Sequence, residues 1–320
     1  MRRLLALATK AAISAALLYL AFSRVDIDMI GNRLQQVKVA WLAAIVLTLA
    51  VQLVLVALRW RQISLQCKAP ISFAQALRYI FIASFFNQTL PSTVGGDAAR
   101  IWLVAREGAG WKAATYSVIV DRIIGLAVLV TIAVVCLPWL LELVRDPLGR
   151  ASVLLVDGAG VVATMTYLTL GHSTWRWPER WWITRHVAGT AAIALKILNS
   201  LRSGSTVVVL SIAIHLLTVA AAWCAARAVG SPLEFGQALL LVPLVVLVAT
   251  IPISIAGWGV REGAMIAAFG YAGLAETDGL IVSVLFGAAT FLIGAAGGLI
   301  WILSADNRSA WAENGSLRKL

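Results

Sequence analysis

The stretch Phe85–Arg106 reads FFNQTLPSTVGGDAARIWLVAR and is the polar, breaker-rich passage around which the chain is organised. Pro91, Gly95 and Gly96 disfavour a continuous helix, because proline lacks an amide donor and glycine loses the most backbone freedom on becoming helical. The stretch therefore predicts that one helix ends before the glycines and that another begins after them.

Composition places this broken helix in a membrane protein. The 320 residues are 61% hydrophobic and 13% charged, with a mean hydropathy of +0.89. A soluble domain carries about 25% charged residues, so most of this chain is expected to lie in lipid. Irregular backbone at membrane depth is tolerated only where protein or a water-filled cavity satisfies its polar groups. The break thus predicts a sheltered polar pocket.

Charged side chains follow the break. Asp97 and Arg100 are spaced i, i+3, which places them on one face of the restarting helix. Asp121 and Arg122 stand near the start of the next apolar run. Ionisable residues in such a setting are candidates for a functional site.

A second passage, Ile251–Gly263, reads IPISIAGWGVREG and repeats the spacing Pro-x4-Gly-x3-Arg of the first, 161 residues later. A match in corresponding positions of the two halves predicts an internal repeat. The matched residues are Pro91, Gly96 and Arg100 in the first passage and Pro252, Gly257 and Arg261 in the second.

Hydropathy predicts an all-α polytopic fold with six full transmembrane helices. Each of six apolar runs is near the roughly 20 residues that a span needs. These runs are about Leu4–Phe22, Ala40–Leu58, Ser117–Leu141, Ala151–Gly171, Ser205–Ala226 and Gly279–Leu303. An uncleaved first span is favoured over a signal peptide, because the run is long and other spans follow it.

Two further segments, Ala74–Val104 and Gln237–Gly273, are broken by proline and glycine. We interpret both as re-entrant helical hairpins, each leaving the membrane on the side that it entered. The total becomes eight or more crossings if their legs go deeper.

Basic residues set the predicted orientation. With the amino terminus inside, the inner segments carry 18 lysines and arginines and the outer segments carry 6, which predicts that both termini are cytoplasmic. The two hairpins then enter from opposite faces. This makes residues 1–320 a single membrane domain with an inverted-topology repeat, in halves of about 1–145 and 146–305, and a cytoplasmic tail at 306–320. A bacterial-type inner (plasma) membrane is the expected location.

The net charge of +11 could suggest a nucleic-acid partner, but the basic residues flank apolar runs and form no tract of their own. They are better explained as topology charges facing anionic lipid, so no nucleic acid is expected.

The segment His172–Arg202 interleaves tryptophan and arginine, which predicts a position on the inner leaflet. Gly294 and Gly298, beside Gly297, form GxxxG and predict close helix packing.

The ionisable residues of the broken segments allow two readings. In the first, permanent ion pairs fix one fold. In the second, arginines and helix amino-terminal amides receive an anionic headgroup, with the carboxylates holding the arginines while the site is empty. We expect the two hairpins to share one charge network, and adjacent Arg261 and Glu262, which point in different directions on a helix, to find partners elsewhere. The charged candidates are Asp97, Arg100, Asp121, Arg122, Arg261 and Glu262.

Polar residues near the breaks could line such a pocket or could instead serve local backbone groups. His215, within an apolar run, is expected to be a packed residue with one hydrogen bond. The polar candidates are Asn87, Gln88, Ser92, Thr93 and Ser254.

No nucleophile–base constellation, phosphate-cradling motif or zinc spacing stands in the sequence, and three scattered cysteines imply no disulfide framework. We therefore expect no enzyme activity, no cofactor and no metal. The leading functional prediction is a translocator that moves an anionic phospholipid or a polyprenyl-phosphate-linked lipid between leaflets. The alternative is a membrane enzyme or an accessory subunit in lipid-linked glycan or envelope lipid synthesis.

Three ordered motifs resemble the lysylphosphatidylglycerol synthase transmembrane region family, also called the flippase-like domain family. They read FFNQTLPSTVGGDAARIWLVAREG, SVIVDRIIGL and IPISIAGWGVREGAMIAAFG, and with the span pattern they cover nearly the whole chain. In contrast to the fused members of that family, we expect no soluble acyltransferase domain after the last span.

The resemblance implies a membrane protein of the type associated with moving lipid between leaflets or with polyprenyl-linked glycan pathways. It also implies a lipid partner, with a homo-oligomer or an envelope-synthesis partner as further possibilities. The positions that the family pattern marks are Asn87, Pro91, Gly95, Gly96, Asp97, Arg100, Asp121, Arg122, Pro252, Gly257, Gly259, Arg261 and Glu262.

Overall fold

A computed structural model describes residue 19 and residues 37–89, 94–172, 182–251 and 257–317. These residues form ten α-helices and one short π-helix, Ala105–Ala109. The α-helices are α1 (Val39–Gln66), α2 (Phe73–Thr89), α3 (Gly95–Val104), α4 (Trp111–Leu143), α5 (Pro147–His172), α6 (Trp182–Leu198), α7 (Leu201–Ala228), α8 (Phe235–Ala249), α9 (Val260–Tyr271) and α10 (Glu276–Leu317).

Five of the helices are long and apolar enough to cross a membrane. They are α1, α4, α5, α7 and the part of α10 from Glu276 to Ser304, and each contains one of the predicted apolar runs. The predicted first span, Leu4–Phe22, falls outside the described residues apart from Tyr19. The chain is a membrane protein with an all-α fold.

Each predicted hairpin segment is a pair of helices separated by a break. In the first, α2 ends at Thr89 and α3 begins at Gly95. In the second, α8 ends at Ala249 and α9 begins at Val260. The second legs contain 10 and 12 residues. At about 1.5 Å per residue, neither leg reaches across a hydrocarbon core of about 30 Å.

The packing of α1 along α7 is the most extensive between any two described helices. Both helices have 28 residues, and each is apolar on most of its surface. A hydrogen bond near the middle joins them, because the Gln52 side-chain amide donates to Thr218 Oγ1 at 2.7 Å. The broken helices α2–α3 and α8–α9, together with α4 and α10, pack around this central pair.

The predicted close packing of the glycine motif in α10 is confirmed. A Cβ atom on Gly297 would overlap the Phe81 carbonyl oxygen of α2, and a Cβ atom on Gly298 would lie 2.8 Å from the Phe85 ring. Glycine is required here because the α2 backbone occupies the space of a side chain. This contact fixes the first leg of the first broken helix against α10.

The segment predicted to lie on the inner leaflet contains α6. Its buried residues Thr190, Ala191, Ala194 and Ile197 recur at helical spacing, whereas Trp182 is 68% exposed. The helix thus has one buried face and one exposed face, as expected for a helix that lies at the membrane interface. The tryptophans before residue 182 lie outside the described residues.

Candidate functional site

The first charged cluster lies where α3 and α4 meet. Arg100 donates from Nη2 to Asp97 Oδ1 at 2.7 Å, which confirms the predicted i, i+3 pair. It also donates from Nη1 to Asp121 Oδ2 at 3.1 Å. The Arg100 guanidinium packs over the Trp60 ring, 4.9 Å from its centroid. Since Arg100 is only 6% exposed, it holds both carboxylates inside the protein.

Arg59 belongs to this cluster and was missed by the sequence analysis. Its Nε donates to Asp121 Oδ1 at 2.9 Å, and its Nη1 donates to Ser211 Oγ of α7 at 3.1 Å. Arg59 directly follows the predicted run Ala40–Leu58, so it was among the 18 basic residues counted in the inner segments. It does not lie on a loop, because α1 continues to Gln66 and buries Arg59 against α4.

Arg122 is the most accessible arginine of the first cluster. It donates from Nη1 to Asp97 Oδ2 at 2.5 Å, and 35% of its side chain is exposed, compared with 7% for Arg100. Asp97 therefore lies between a buried arginine and a partly exposed one.

The second charged cluster lies at the start of α9. Arg261 donates from Nη2 to Glu262 Oε1 at 2.7 Å, and both side chains bond the Ser283 hydroxyl of α10. The expectation that Arg261 and Glu262 would find partners elsewhere was therefore wrong. The cause is the helix start: Glu262 turns back to accept the Gly259 N–H at 2.6 Å, and this brings its carboxylate beside Arg261.

Glycines make room for both clusters. A Cβ atom on Gly125 of α4 would lie 2.9 Å from Arg59 Nη1, and one on Gly287 of α10 would overlap Arg261 Nη2. The positive φ angles of Gly257 (79°) and Gly259 (88°) form the turn that leads into α9. Side chains with a Cβ atom rarely adopt such angles, so glycine is favoured at both positions.

A hydrogen bond to Asn87 connects the two helices across the break in the first segment. Asn87 Oδ1 accepts the Gly96 N–H at 2.8 Å, which satisfies one of the free amides at the start of α3. Gly96 approaches the Ala83 carbonyl so closely that a Cβ atom would overlap it. Gly95 begins α3 and is buried. Pro91, Ser92, Thr93, Pro252 and Ser254 fall outside the described residues.

The two clusters meet at a cavity of about 380 Å³ between the helices. Arg122 of the first cluster and Arg261 of the second both line it. Its polar lining also includes residues from α1, α2, α7 and α10 and the residue directly after α8, and apolar residues complete the walls. These polar residues are Gln52, Asn87, Gln88, Thr218, Thr250 and Thr290.

A second cavity, of about 280 Å³, shares Asn87, Arg122 and Thr250 with the first. It extends along the first cluster to Arg59 and to His215. His215 is a packed residue as expected, since its Nε2 lies 2.9 Å from the Gly125 carbonyl oxygen. The prediction was one charge network shared by both broken segments, but the described ion pairs form two separate clusters. Those of the first cluster join α1, α3 and α4, and the ion pair of the second lies on α9. The cavity lies between the two clusters.

The fold and the cavity define a polytopic membrane protein with two broken helices and charged residues that line a cavity between its helices. The family model described as Lysylphosphatidylglycerol synthase TM region matches residues 7–298, so the chain belongs to this family. The membership confirms the resemblance seen in the sequence motifs. No curated protein matches the chain.

Proposed function

We propose that this protein is a lipid translocator that moves an anionic phospholipid or a polyprenyl-phosphate-linked lipid between the leaflets of a bacterial-type inner membrane. The headgroup binds in the 380 Å³ cavity, between Arg122 and Arg261. The protein acts without chemical conversion of the lipid and without a cofactor.

The supporting observation is that two arginines from different helices line one cavity between the helices. Planar guanidinium groups suit bidentate binding of phosphate oxygens, and hydroxyl and amide groups around them offer further hydrogen bonds. Asn87, Gln88 and Thr290 line the same space. The polar groups of a headgroup would thus find partners there in place of water.

Charge balance favours an anionic ligand. Within the described ranges, the ion pairs of the first cluster join three arginines and two carboxylates, and the second joins one of each, which gives one positive charge in excess. Asp97 and Glu262 each hold a cavity arginine in place while the site is empty. A lipid phosphate would neutralise the excess charge, whereas a zwitterionic headgroup would leave it in place.

Similarity between the two halves of the chain supports the proposed inverted repeat. α1 and α7 have equal length, and both are followed by a broken helix pair and then by a long helix. The matched arginines also make matching contacts: Arg100 donates to Asp121 on the long helix α4, and Arg261 donates to Ser283 on the long helix α10. In our proposal the two units have opposite topology and rock about the α1–α7 contact, so that the cavity opens to each leaflet in turn.

The proposed topology has six full spans, two re-entrant broken helices and both termini in the cytoplasm. The short second legs, α3 and α9, support the re-entrant assignment, and the charge bias of the loops supports the orientation. The two breaks then approach the cavity from opposite faces of the membrane.

The test is lipid translocation by purified protein in sealed vesicles. Fluorescently labelled phosphatidylglycerol and labelled undecaprenyl phosphate are placed in the inner leaflet, and their arrival outside is followed with a membrane-impermeant quencher. We expect at least one of them to arrive at least ten-fold faster than in protein-free vesicles. Equal rates for both lipids with and without protein would overturn the proposal.

The same preparation separates this proposal from its rivals. A membrane enzyme would convert a lipid-linked substrate in detergent, where no second leaflet exists. An accessory subunit would neither translocate nor convert lipid, but the activity of a co-purifying synthesis enzyme would depend on it. Mass spectrometry of the lipids before and after incubation distinguishes these outcomes.

A further inference from the structure

An apolar groove of about 590 Å³ lies between α4, α5 and α8 and is separate from the charged cavities over most of its length. Ile123, Leu126 and Val130 contribute its α4 wall, and Leu247 contributes to its α8 wall. The membrane helices thus provide a hydrocarbon-lined space that the headgroup site does not use.

Small residues form the α5 side of the groove. Ala159, Gly160 and Ala163 line it, and Ala159 and Ala163 are exposed. A Cβ atom on Gly160 would lie 2.9 Å from Val130 Cγ2, so α4 and α5 approach each other closely at this point. A larger side chain at Gly160 would therefore push α4 and α5 apart and change the shape of the groove.

The groove joins the charged cavities at Thr250, and Leu126 of α4 lines both the groove and the second cavity. Thr250, at the carboxyl end of α8, lines the groove and both cavities. Its hydroxyl donates to the Leu247 carbonyl at 2.7 Å, so its polar hydrogen is already used within α8. On α4, Arg122 lines the cavities and its neighbour Ile123 lines the groove. A molecule with a charged end and an apolar end would match this junction.

We propose that the groove holds a hydrocarbon chain of the anionic lipid whose headgroup occupies the cavity of Arg122 and Arg261, with Thr250 at the point where headgroup and chain part. This inference rests on the proposed function and adds to it. The hydrocarbon chain of the lipid stays between α4, α5 and α8 while the headgroup is bound, so the protein recognises both ends of the lipid. A diacyl phospholipid and a polyprenyl phosphate share this chemistry.

Two neighbouring positions on α5 provide a matched pair for the test. Both side chains are exposed, but Ala163 lines the groove and Val162 does not. A photoreactive benzophenone amino acid is placed at one position or the other in the full chain. The protein is reconstituted in phosphatidylethanolamine vesicles that contain a small fraction of either phosphatidylglycerol or undecaprenyl phosphate, and covalent lipid adducts are identified by mass spectrometry.

At Ala163 we expect one of the two anionic lipids to be enriched at least five-fold over its share of the vesicle. At Val162 the adducts should follow the vesicle composition. Arg261→Gln, combined with the label at Ala163, should remove the enrichment, because the headgroup no longer holds the chain in the groove. Enrichment of one anionic lipid but not the other identifies the chain type.

Adducts at Ala163 that match the vesicle composition with both lipids would overturn the groove assignment. Enrichment that is unchanged by Arg261→Gln would overturn the link between groove and headgroup cavity. These results are independent of the translocation assay. Translocation without enrichment refutes the groove alone, and enrichment without translocation refutes the proposed function while the lipid site stands.

Discussion

Arg100 and Asp121 form an ion pair of 3.1 Å that joins the short helix α3 to the long helix α4. Both side chains are almost inaccessible, at 7% and 3% exposure. Arg122, adjacent to Asp121 in sequence, instead faces the cavity. Two arginines of one cluster therefore differ in environment: Arg100 is buried between two carboxylates, and Arg122 is partly exposed at the cavity.

This division predicts opposite effects of two matched substitutions. Arg100→Gln leaves Asp97 and Asp121 short of a buried partner and should lower the free energy of unfolding by about 3 kcal/mol. Arg122→Gln removes a partly exposed ion pair and should cost less than about 1 kcal/mol. Denaturant unfolding in detergent micelles measures both. Equal losses of unfolding free energy for the two variants would show that the buried and the partly exposed arginine contribute equally to stability.

The contact between α2 and α10 makes a second prediction. Gly297→Ala should lower stability by about 1–3 kcal/mol, because its methyl group would overlap the Phe81 carbonyl and push the helices apart. Gly263→Ala is the control, since a Cβ atom there meets nothing within 4 Å. Removing a helical glycine without a clash should raise stability by about 0.5–1 kcal/mol. Thermal unfolding measures both variants. If Gly297→Ala and Gly263→Ala both raised or both lowered the unfolding temperature, the close contact at Gly297 would be contradicted.

A third prediction concerns the hydrogen bond between Asn87 and Gly96 across the first break. Asn87→Ala removes the acceptor of the Gly96 N–H, and a lost hydrogen bond of about 1 kcal/mol should speed amide exchange at Gly96 about five-fold. Asn87→Asp keeps an acceptor oxygen and should retain the protection. Hydrogen exchange followed by mass spectrometry checks both, with the Ala238 amide of α8 as an unaffected reference. Fast exchange in both variants would mean that the amide side chain has another role.

Much of the fold followed from the sequence because apolar runs of span length leave few alternatives. The runs predicted as Ala40–Leu58 and Ser205–Ala226 lie within α1 and α7. The pairing of these two helices was not predictable, since a helix that is apolar around most of its surface does not indicate which face meets another helix. Proline and glycine did indicate where both broken helices would end.

The candidate site was predictable where charge and local spacing coincide, as for Asp97 and Arg100. Arg59 was missed because an arginine that follows an apolar run resembles a topology charge, and only the packing of α1 against α4 shows its burial. The pairing of Arg261 with Glu262 was missed because the turn at Gly259 brings the glutamate back to the helix start. Both cases depend on contacts that spacing rules do not contain.

The central claim is that Arg122 and Arg261 together receive an anionic headgroup in one cavity. The most direct test compares the initial translocation rates of labelled phosphatidylglycerol, undecaprenyl phosphate and phosphatidylethanolamine in sealed vesicles, for the unaltered protein, Arg122→Gln/Arg261→Gln and the exposed-site control Arg106→Gln. We predict that the unaltered protein and Arg106→Gln move an anionic lipid about ten-fold faster than phosphatidylethanolamine, and that the double variant loses this preference. Anionic lipid translocation by the double variant at the unaltered rate would contradict the claim.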